Sequence, residues 1–398
     1  MSNVIIIGAG YAGLTAAIEL RRLLPMSDQV TVISANENFI FYPSLIWVVQ
    51  GERDIADIAF PIRPILDPEG IAFVNAWLET IDPAARTVTL SNGQSLGFDK
   101  LLIATGGEWA WDSVPGLPPK PEGHTVSIFS PQAALAARSD WQALLADPGP
   151  IVIGAVLNAG LYGAAYEFAL NLDMALRKAG LRDKVSITFV TPEPYLGHLG
   201  HDGLGNSRQI LEAAFLHQNI MAVTEAQITQ VEADAVVLGG RQARLPTQFT
   251  MLVPPYRGIK PVRAVANLGD ERGRIPVDDF YRSQAYPDIY AAGVAVAIEP
   301  EPSLLPCDRL ITGTVSAEMG RLAATNIVAE LGHGQSVRKP ATALKSFYVV
   351  DSGAHGVFMS LGPQSWLNVQ LNIPGPWSHW AKVMAEKYQM WQIKTGHY

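Results

Sequence analysis

The stretch that decides the fold is the first fifteen residues, Met1-Ser-Asn-Val-Ile-Ile-Ile-Gly8-Ala-Gly10-Tyr-Ala-Gly13-Leu-Thr15. Val4 to Ile7 form a short, wholly apolar, β-branched run, which suits a parallel strand covered on both faces. The G-x-G-x-x-G loop follows it directly, and a helix is expected from Tyr11 to about Leu24. Gly8 permits the tight turn, Gly10 lets backbone approach a pyrophosphate, and Gly13 allows helix to pack closely on strand, with Ala12 between them. The helix N-terminus then offers free N–H groups and the positive end of its dipole to phosphates.

The same order returns at lower fidelity. Ile151-Val-Ile153 leads to Gly154, and a helix is expected from about Leu161 to Ala179. Two dinucleotide-type units are implied. Between them the Pro-rich segment Pro115-Gly-Leu-Pro-Pro-Lys-Pro121 reads as a crossover, and Gly239-Gly240 marks a second boundary. Thr250 to Val253 and Asp288 to Gly293 read as strands returning to the first unit. The expected fold is therefore α/β, with two Rossmann-like, three-layer dinucleotide-binding domains, the second inserted in the first. The first would span 1–110 and 244–335, the second 111–243. Residues 336–398 would form a C-terminal segment ending in an amphipathic helix.

Composition narrows the function. The chain has 398 residues, 48% hydrophobic and 17% charged, enough to bury more than one core. A net charge of −8 gives no electrostatic footprint for nucleic acid. Cys307 is the single cysteine, so an internal disulfide, a C-x-x-C pair and a cysteine-based metal cluster are excluded. His198 and His201 flank a glycine turn, but two histidines without matching carboxylate spacing make no metal site. No basic n-region precedes the first strand and no apolar run reaches about 18 residues, which points to a cytoplasmic protein without a spanning helix.

The second strand, Val30-Thr-Val-Ile33, ends in Ser34-Ala35-Asn36 where an Asp or Glu would bind the ribose diol of NAD. Ser34 and Asn36 are the substitutes for that role. Leu101-Leu-Ile-Ala104-Thr105-Gly106 and Ile289-Tyr-Ala-Ala-Gly293-Val294 are strands ending in small residues, as needed where backbone crosses a bound flavin. Each alone reads as a plain strand end; together they favour FAD. In the second loop, Gly154-Ala-Val-Leu-Asn-Ala-Gly160, Ala155 and Val156 stand where a second glycine is needed, and Val185 to Val190 ends in Thr191 with Glu193 two places late. NAD(P)H is therefore not the expected donor.

Ser34-Ala-Asn36, Tyr42-Pro43-Ser44, Ile58 to Arg63, Gly123 to Ser127, Tyr166-Glu167-Phe168, Glu193 to Gly200, Ala291-Ala-Gly293, Thr312-Gly313, Ala381-Lys382 and Glu386-Lys387-Tyr388 occur in order along the chain. In these the sequence resembles the sulfide:quinone oxidoreductases, flavoproteins of the disulfide-reductase superfamily related to flavocytochrome c sulfide dehydrogenase and type II NADH dehydrogenases. The resemblance implies FAD, held additionally by Pro43, Thr312 and Gly313, with electrons passing from a small donor to a quinone. It also implies sulfide oxidation at a cysteine pair beside the flavin, a step that needs a thiolate. Here the three family cysteine positions hold Phe129, Leu161 and Lys345. A family histidine falls at Ala133 and a family lysine at Ile311. Glu167 and His198 are retained, the first as a proton-relay acid or a structural helix carboxylate, the second as a proton carrier or a structural histidine. Cys307 reads equally as buried filler and as a functional thiol.

Trp377, Trp380, Met384, Tyr388 and Trp391 are spaced 3, 4, 4 and 3, which places them on one helix face, with Lys387 and Lys394 at its border and Lys382, Glu386 and Gln389 opposite. Periodicity alone favours packing against the protein body or a partner subunit. The resemblance implies peripheral docking on the inner face of a membrane. Three functions follow as expectations: a flavin-dependent oxidoreductase without the cysteine-based step, a non-catalytic flavin-bound partner, relay or sensor subunit, and sulfide or polysulfide chemistry through Cys307.

Overall fold

The computed structural model describes residues 1–398 except 201–202, 204–205, 241–242, 299–310, 345, 352–354, 362–371, 375–376 and 397–398. Cys307, His201 and Lys345 lie outside the described residues. The opening run forms the strand Asn3–Ile7, with Val4 to Ile7 buried, and helix α1 (Tyr11–Leu23) follows it. This strand sits at the centre of a five-stranded sheet in the order Ile289–Ala291, Lys100–Ile103, Asn3–Ile7, Gln29–Ser34, Ala72–Asn75. Every pairing in it is parallel, with Ile7 opposite Ile33 on one side and Ile103 on the other.

A second sheet is also wholly parallel, in the order Met221–Val223, Ile187–Val190, Ile151–Ala155, Phe249–Val253. Helix α2 (Tyr162–Lys178) follows its central strand. The strand Ile289–Ala291 returns to the first sheet after the second is complete, so one α/β unit is inserted in the other. The strand at Thr250 to Val253 does not return: Phe249–Val253 lies beside Ile151–Ala155, with Ile151 opposite Phe249 and Ala155 opposite Val253. All five of its residues are buried. Such a strand needs cover on both faces, and the open edge of the second sheet supplies it, which a sequence reading of order alone does not reveal.

Helix α3 (Gly313–Glu330) packs along α1 with almost nothing between the backbones. A Cβ on Gly320 would lie 2.1 Å from the Ala12 carbonyl oxygen, and one on Gly13 would lie 1.9 Å from that of Gly8. Gly8 itself has φ +104°, and a Cβ there would meet the Ala104 carbonyl oxygen at 2.4 Å. The Pro-rich crossover has no helix or strand between Ser113 and Pro131. Toward the C-terminus, an antiparallel sheet of Ser346–Asp351, His355–Leu361 and Asn372–Pro374 precedes helix α4 (Trp377–Thr395).

The face that α4 turns inward is the reverse of the one periodicity favours. Trp380, Met384, Tyr388 and Trp391 are 62, 66, 57 and 50% exposed. Lys382, Glu386 and Ile393 are buried instead. The aromatic stripe does not pack on the body, because buried ion pairs described below hold the opposite face; the side chain of Trp377 lies outside the described residues.

The α1–α3 contact is intolerant of added volume. Gly320→Ala forces two helix backbones apart, and overpacking of this kind costs about 1–3 kcal/mol. The expected result is a lowered thermal unfolding midpoint.

Candidate functional site

The sequence-selected backbone segments meet at the C-terminal ends of the first sheet's strands, where open α/β sheets bind ligands. Gly8 lies against Ala104 and the α-carbon of Thr105, and a Cβ on Gly13 would be 3.5 Å from that of Ala104. Gly293 has φ +70° and is followed by Val294 in a 3-10 turn; a Cβ on it would lie 3.4 Å from that of Ala12. Gly313, the first residue of α3, lies under the Tyr11 ring, where a Cβ would approach within 2.6 Å. Pro43 sits in the turn Tyr42–Ser44 beside Phe41, whose ring meets that of Tyr11 edge-on.

Two helix N-termini thus converge on one region. Neither α1 nor α3 has an acidic residue in its first turn, so neither dipole is neutralised from within. The α1 cap is Gly10, which has no side chain to satisfy the first N–H groups. A Cβ on Gly10 would meet nothing within 4 Å, and the same holds at Gly106. This is the cradle a dinucleotide pyrophosphate requires: bare backbone, positive potential and open space.

Next to it, the Gly8 amide donates to the Ile33 carbonyl at 2.7 Å, which fixes the end of the ribose strand. The Asn36 amide donates to the Ser34 hydroxyl at 3.2 Å. The Asn75 amide side chain, from the neighbouring strand, donates to the carbonyls of Ser34 and Ala35 at 3.0 and 3.1 Å. The short turn is therefore pinned from beneath, with the Asn36 side chain outward. Asn75 went unread in the sequence; its register opposite Ser34 is visible only once the strands pair.

Phe129, where the resemblance implies a cysteine, lies in an aromatic cluster that reaches Gly160, the residue before Leu161. The Phe129 ring lies 4.0 Å from Trp109, centroid to centroid, and Trp109 stacks on Tyr256 at 3.8 Å; Trp111 stands 6.4 Å from Phe129. A Cβ on Gly160, which precedes Leu161, would meet the Tyr256 ring at 2.1 Å. Tyr256 therefore covers the N-terminal approach to α2, where a second dinucleotide would need open backbone like that at Gly10. An antiparallel ribbon pairing Trp109 with Tyr256 and Glu108 with Arg257 carries these rings. It is braced by Arg257 to Glu108 at 2.7 Å and Arg257 to Asp112 at 2.8 Å. Ala133 sits in the first turn of Pro131–Ala146, where its amide donates to the Ser130 hydroxyl. Ile311 is half-buried against the core.

Glu167 is buried on α2 and ion-paired to Lys382 of α4. The Lys382 ammonium also lies over the Trp47 ring, 4.7 Å from its centroid. One turn along α4, Glu386 accepts a hydrogen bond from the Ser44 hydroxyl at 2.5 Å and lies 3.6 Å from Arg53 Nε. Sequence reading set Lys382 and Glu386 opposite the aromatic stripe. The inward 382, 386, 390, 393 spacing, ending in Met390 and Ile393, was the available sign that this side is the buried one. Burial and the nearby Glu386 carboxylate push the Tyr11 hydroxyl well above its ordinary range.

His198 is fully buried, and its Nδ1 accepts from the Gly200 amide at 3.1 Å. Glu193, two places late for a ribose, is not a ligand-facing acid: it is fully buried and takes hydrogen bonds from Thr191, Tyr166 and the Leu199 amide. Burial pushes its carboxyl up to about 7 despite those donors.

Comparison with known proteins agrees with this architecture. The family model for pyridine nucleotide-disulphide oxidoreductases matches residues 2–307. The sulfide-quinone reductase of Aquifex aeolicus is 33% identical over 99% of this chain and 92% of its own length. The crystal structure of the Aquifex aeolicus sulfide:quinone oxidoreductase superposes with a TM-score of 0.91 at 32% identity, over 100% of this chain and 92% of that one. An NADH dehydrogenase-like protein of Mycobacterium tuberculosis is 27% identical over 91% of this chain and 88% of its own length.

Two outcomes are expected. Gly10→Ala leaves the unfolding midpoint of flavin-free protein unchanged, since its Cβ meets nothing, but weakens flavin affinity at least roughly tenfold, or about 1.4 kcal/mol, in a fluorescence titration. Glu193 contributes a pH dependence of known sign. Its folded-state carboxyl titrates near 7 against 4.5 for the free group, so the folded state holds the proton more tightly, and stability falls as pH rises through that interval. Glu193→Gln should flatten the pH 4.5–7 part of the stability profile; an unchanged slope assigns it to other groups.

Proposed function

Because this chain belongs to the pyridine nucleotide-disulphide oxidoreductase family, within it to the sulfide:quinone reductase relatives, and is a flavin-dependent oxidoreductase, we propose that it binds FAD and passes electrons from a small donor to a quinone-like acceptor without a cysteine-based sulfide step. The observation that carries this is the pairing of an open Gly10 cradle with the Phe129 ring, packed on Trp109, where the resemblance places a thiol. The residues present fit FAD. The Gly10 backbone and the N-terminus of α1 would hold the pyrophosphate, Ser34 and Asn36 the adenosine ribose, and the strand ends at Thr105-Gly106 and Gly293-Val294, with the α3 N-terminus at Thr312-Gly313, the flavin portion. When bound, FAD supplies two-electron acceptance from a donor and delivery to an acceptor.

This chain's own groups supply proton handling and access. The buried Lys382–Glu167 pair between α2 and α4 would serve as the proton relay for reduction of a quinone-like acceptor. The outward Trp380, Met384, Tyr388 and Trp391, bordered by exposed Lys387 and Lys394, suit peripheral attachment to a lipid surface, where Trp and Tyr sit at the headgroup level and Lys meets anionic lipid. No helix among the described residues is long and apolar enough to cross a membrane. NADH is disfavoured as donor: Val156 is buried, Tyr256 covers Gly160, and Glu193 is consumed internally.

The test is an anaerobic titration of the flavin-loaded protein, followed by its flavin absorbance. Sulfide, small thiols and NADH are added in turn, and the photoreduced protein is then mixed with a short-chain quinone. We expect quinone-dependent reoxidation, no bleaching by NADH, and donor-dependent bleaching that survives Cys307→Ser. Absence of bleaching by every donor together with absence of reoxidation by quinone would leave the non-catalytic, flavin-bound partner as the reading; sulfide bleaching abolished by Cys307→Ser would move the chemistry to that thiol.

A further inference from the structure

We propose that Glu193 is the positioning residue for His198, gripping the backbone on both sides of it through a buried carboxylate–tyrosine clamp. The inference rests on the reading of His198 as a proton carrier of the flavin-dependent reaction.

Each oxygen of Glu193 is committed. Oε2 accepts from the Thr191 hydroxyl at 2.6 Å and from the Tyr166 hydroxyl at 2.8 Å; Oε1 accepts from the Leu199 amide at 2.6 Å. The Tyr166 oxygen in turn accepts from the Gly197 amide at 2.9 Å. The amides immediately before and after His198 therefore both end on one buried pair. Ser207 adds a third tie by donating to the Gly197 carbonyl at 2.6 Å. On the other side, the Tyr195 ring meets the imidazole edge-on at 5.2 Å, and Arg208 lies over Tyr195 at 4.6 Å.

The clamp holds a conformation the chain would not otherwise keep. Gly197, Leu199 and Gly200 have φ of +82°, +55° and +75°. Glycine adopts this region freely; leucine does so at a steric cost, and a non-glycine residue here persists only where its surroundings impose it. The Leu199 amide on Glu193 is one contact that imposes it, beside the Gly203 amide on the His198 carbonyl at 2.8 Å. Once the turn is held, the Gly200 amide is aimed at His198 Nδ1. A neutral imidazole accepting at Nδ1 carries its proton on Nε2, so the clamp fixes both where the ring lies and which nitrogen is the donor.

The experiment uses flavin-loaded protein labelled with 15N-histidine, with the His198 signals assigned by His198→Gln and read by two-bond proton–nitrogen correlation above pH 7.5. The wild type should show the Nε2–H tautomer. Glu193→Ala should average the two nitrogen shifts while circular dichroism stays unchanged. Glu193→Ala with Leu199→Gly should restore the wild-type pattern, because glycine keeps the left-handed turn without the carboxylate; a merely structural role for Glu193 predicts no such rescue. The proposal is overturned if folded Glu193→Ala keeps the wild-type His198 shifts or if the double variant stays averaged. Should Glu193→Ala not fold, Tyr166→Phe removes the Gly197 acceptor together with one donor to Glu193 while leaving the carboxylate on the Leu199 amide, and it must also disturb the His198 pattern; an unchanged pattern overturns the clamp. Averaged shifts with an unchanged rate of donor-dependent flavin bleaching keep the clamp and overturn the reading of His198 as a proton carrier.

Discussion

The molecule depends on one constraint, that helix α1 must touch backbone on two sides. Its N-terminal turn rests on Gly8, and its next exposed edge on α3, with carbonyl oxygens where side chains would ordinarily lie. Side chains at Gly13 or Gly320 would tilt the helix, and the tilt would move Gly10, the cap that leaves the first amides bare. The α1–α3 contact also brings the second helix N-terminus, at Thr312-Gly313, beneath the Tyr11 ring. Two positive helix ends thus converge because the helices have no Cβ between them. The geometry that packs the core and the geometry that would receive a dinucleotide are one arrangement.

The second unit keeps the same sheet order and helix but spends its apparatus inward. Its glycine at 160 lies under an aromatic ring, and its late acid is turned into the protein to hold a turn. The two units therefore differ less in fold than in what their strand ends face: open space in the first, their own side chains in the second. A flavin-dependent oxidoreductase with one open dinucleotide cradle and one closed is coherent with a donor that brings electrons without bringing a nucleotide.

The first unit was legible because its signals are local. A β-branched run, a glycine loop and a helix start follow one another within fifteen residues, and each is set by neighbours in the chain. The strand at Phe249–Val253 was misplaced because both sheets are parallel and buried, so an apolar run carries no mark of which edge it fills. The burial of Lys382 and Glu386 was hidden for a similar reason. Helical spacing defines two faces, but which one turns inward is decided by Glu167, Ser44 and Arg53, more than two hundred residues away in sequence. Glu193 was read against a template for ribose binding, and only its distance past the strand end hinted that it serves another purpose.

The aromatic cluster at Phe129 bears on how this corner can be altered. A lone Phe129→Cys would set a sulfur against the Trp109 indole, with Tyr256 still covering the approach to Leu161. Opening this corner to a reactive side chain thus requires several positions to change together, Phe129 and the Trp109 and Tyr256 rings that stack beside it. The cluster is therefore a unit of replacement: no single substitution at Phe129 frees this corner, because the neighbouring rings close it from the other side.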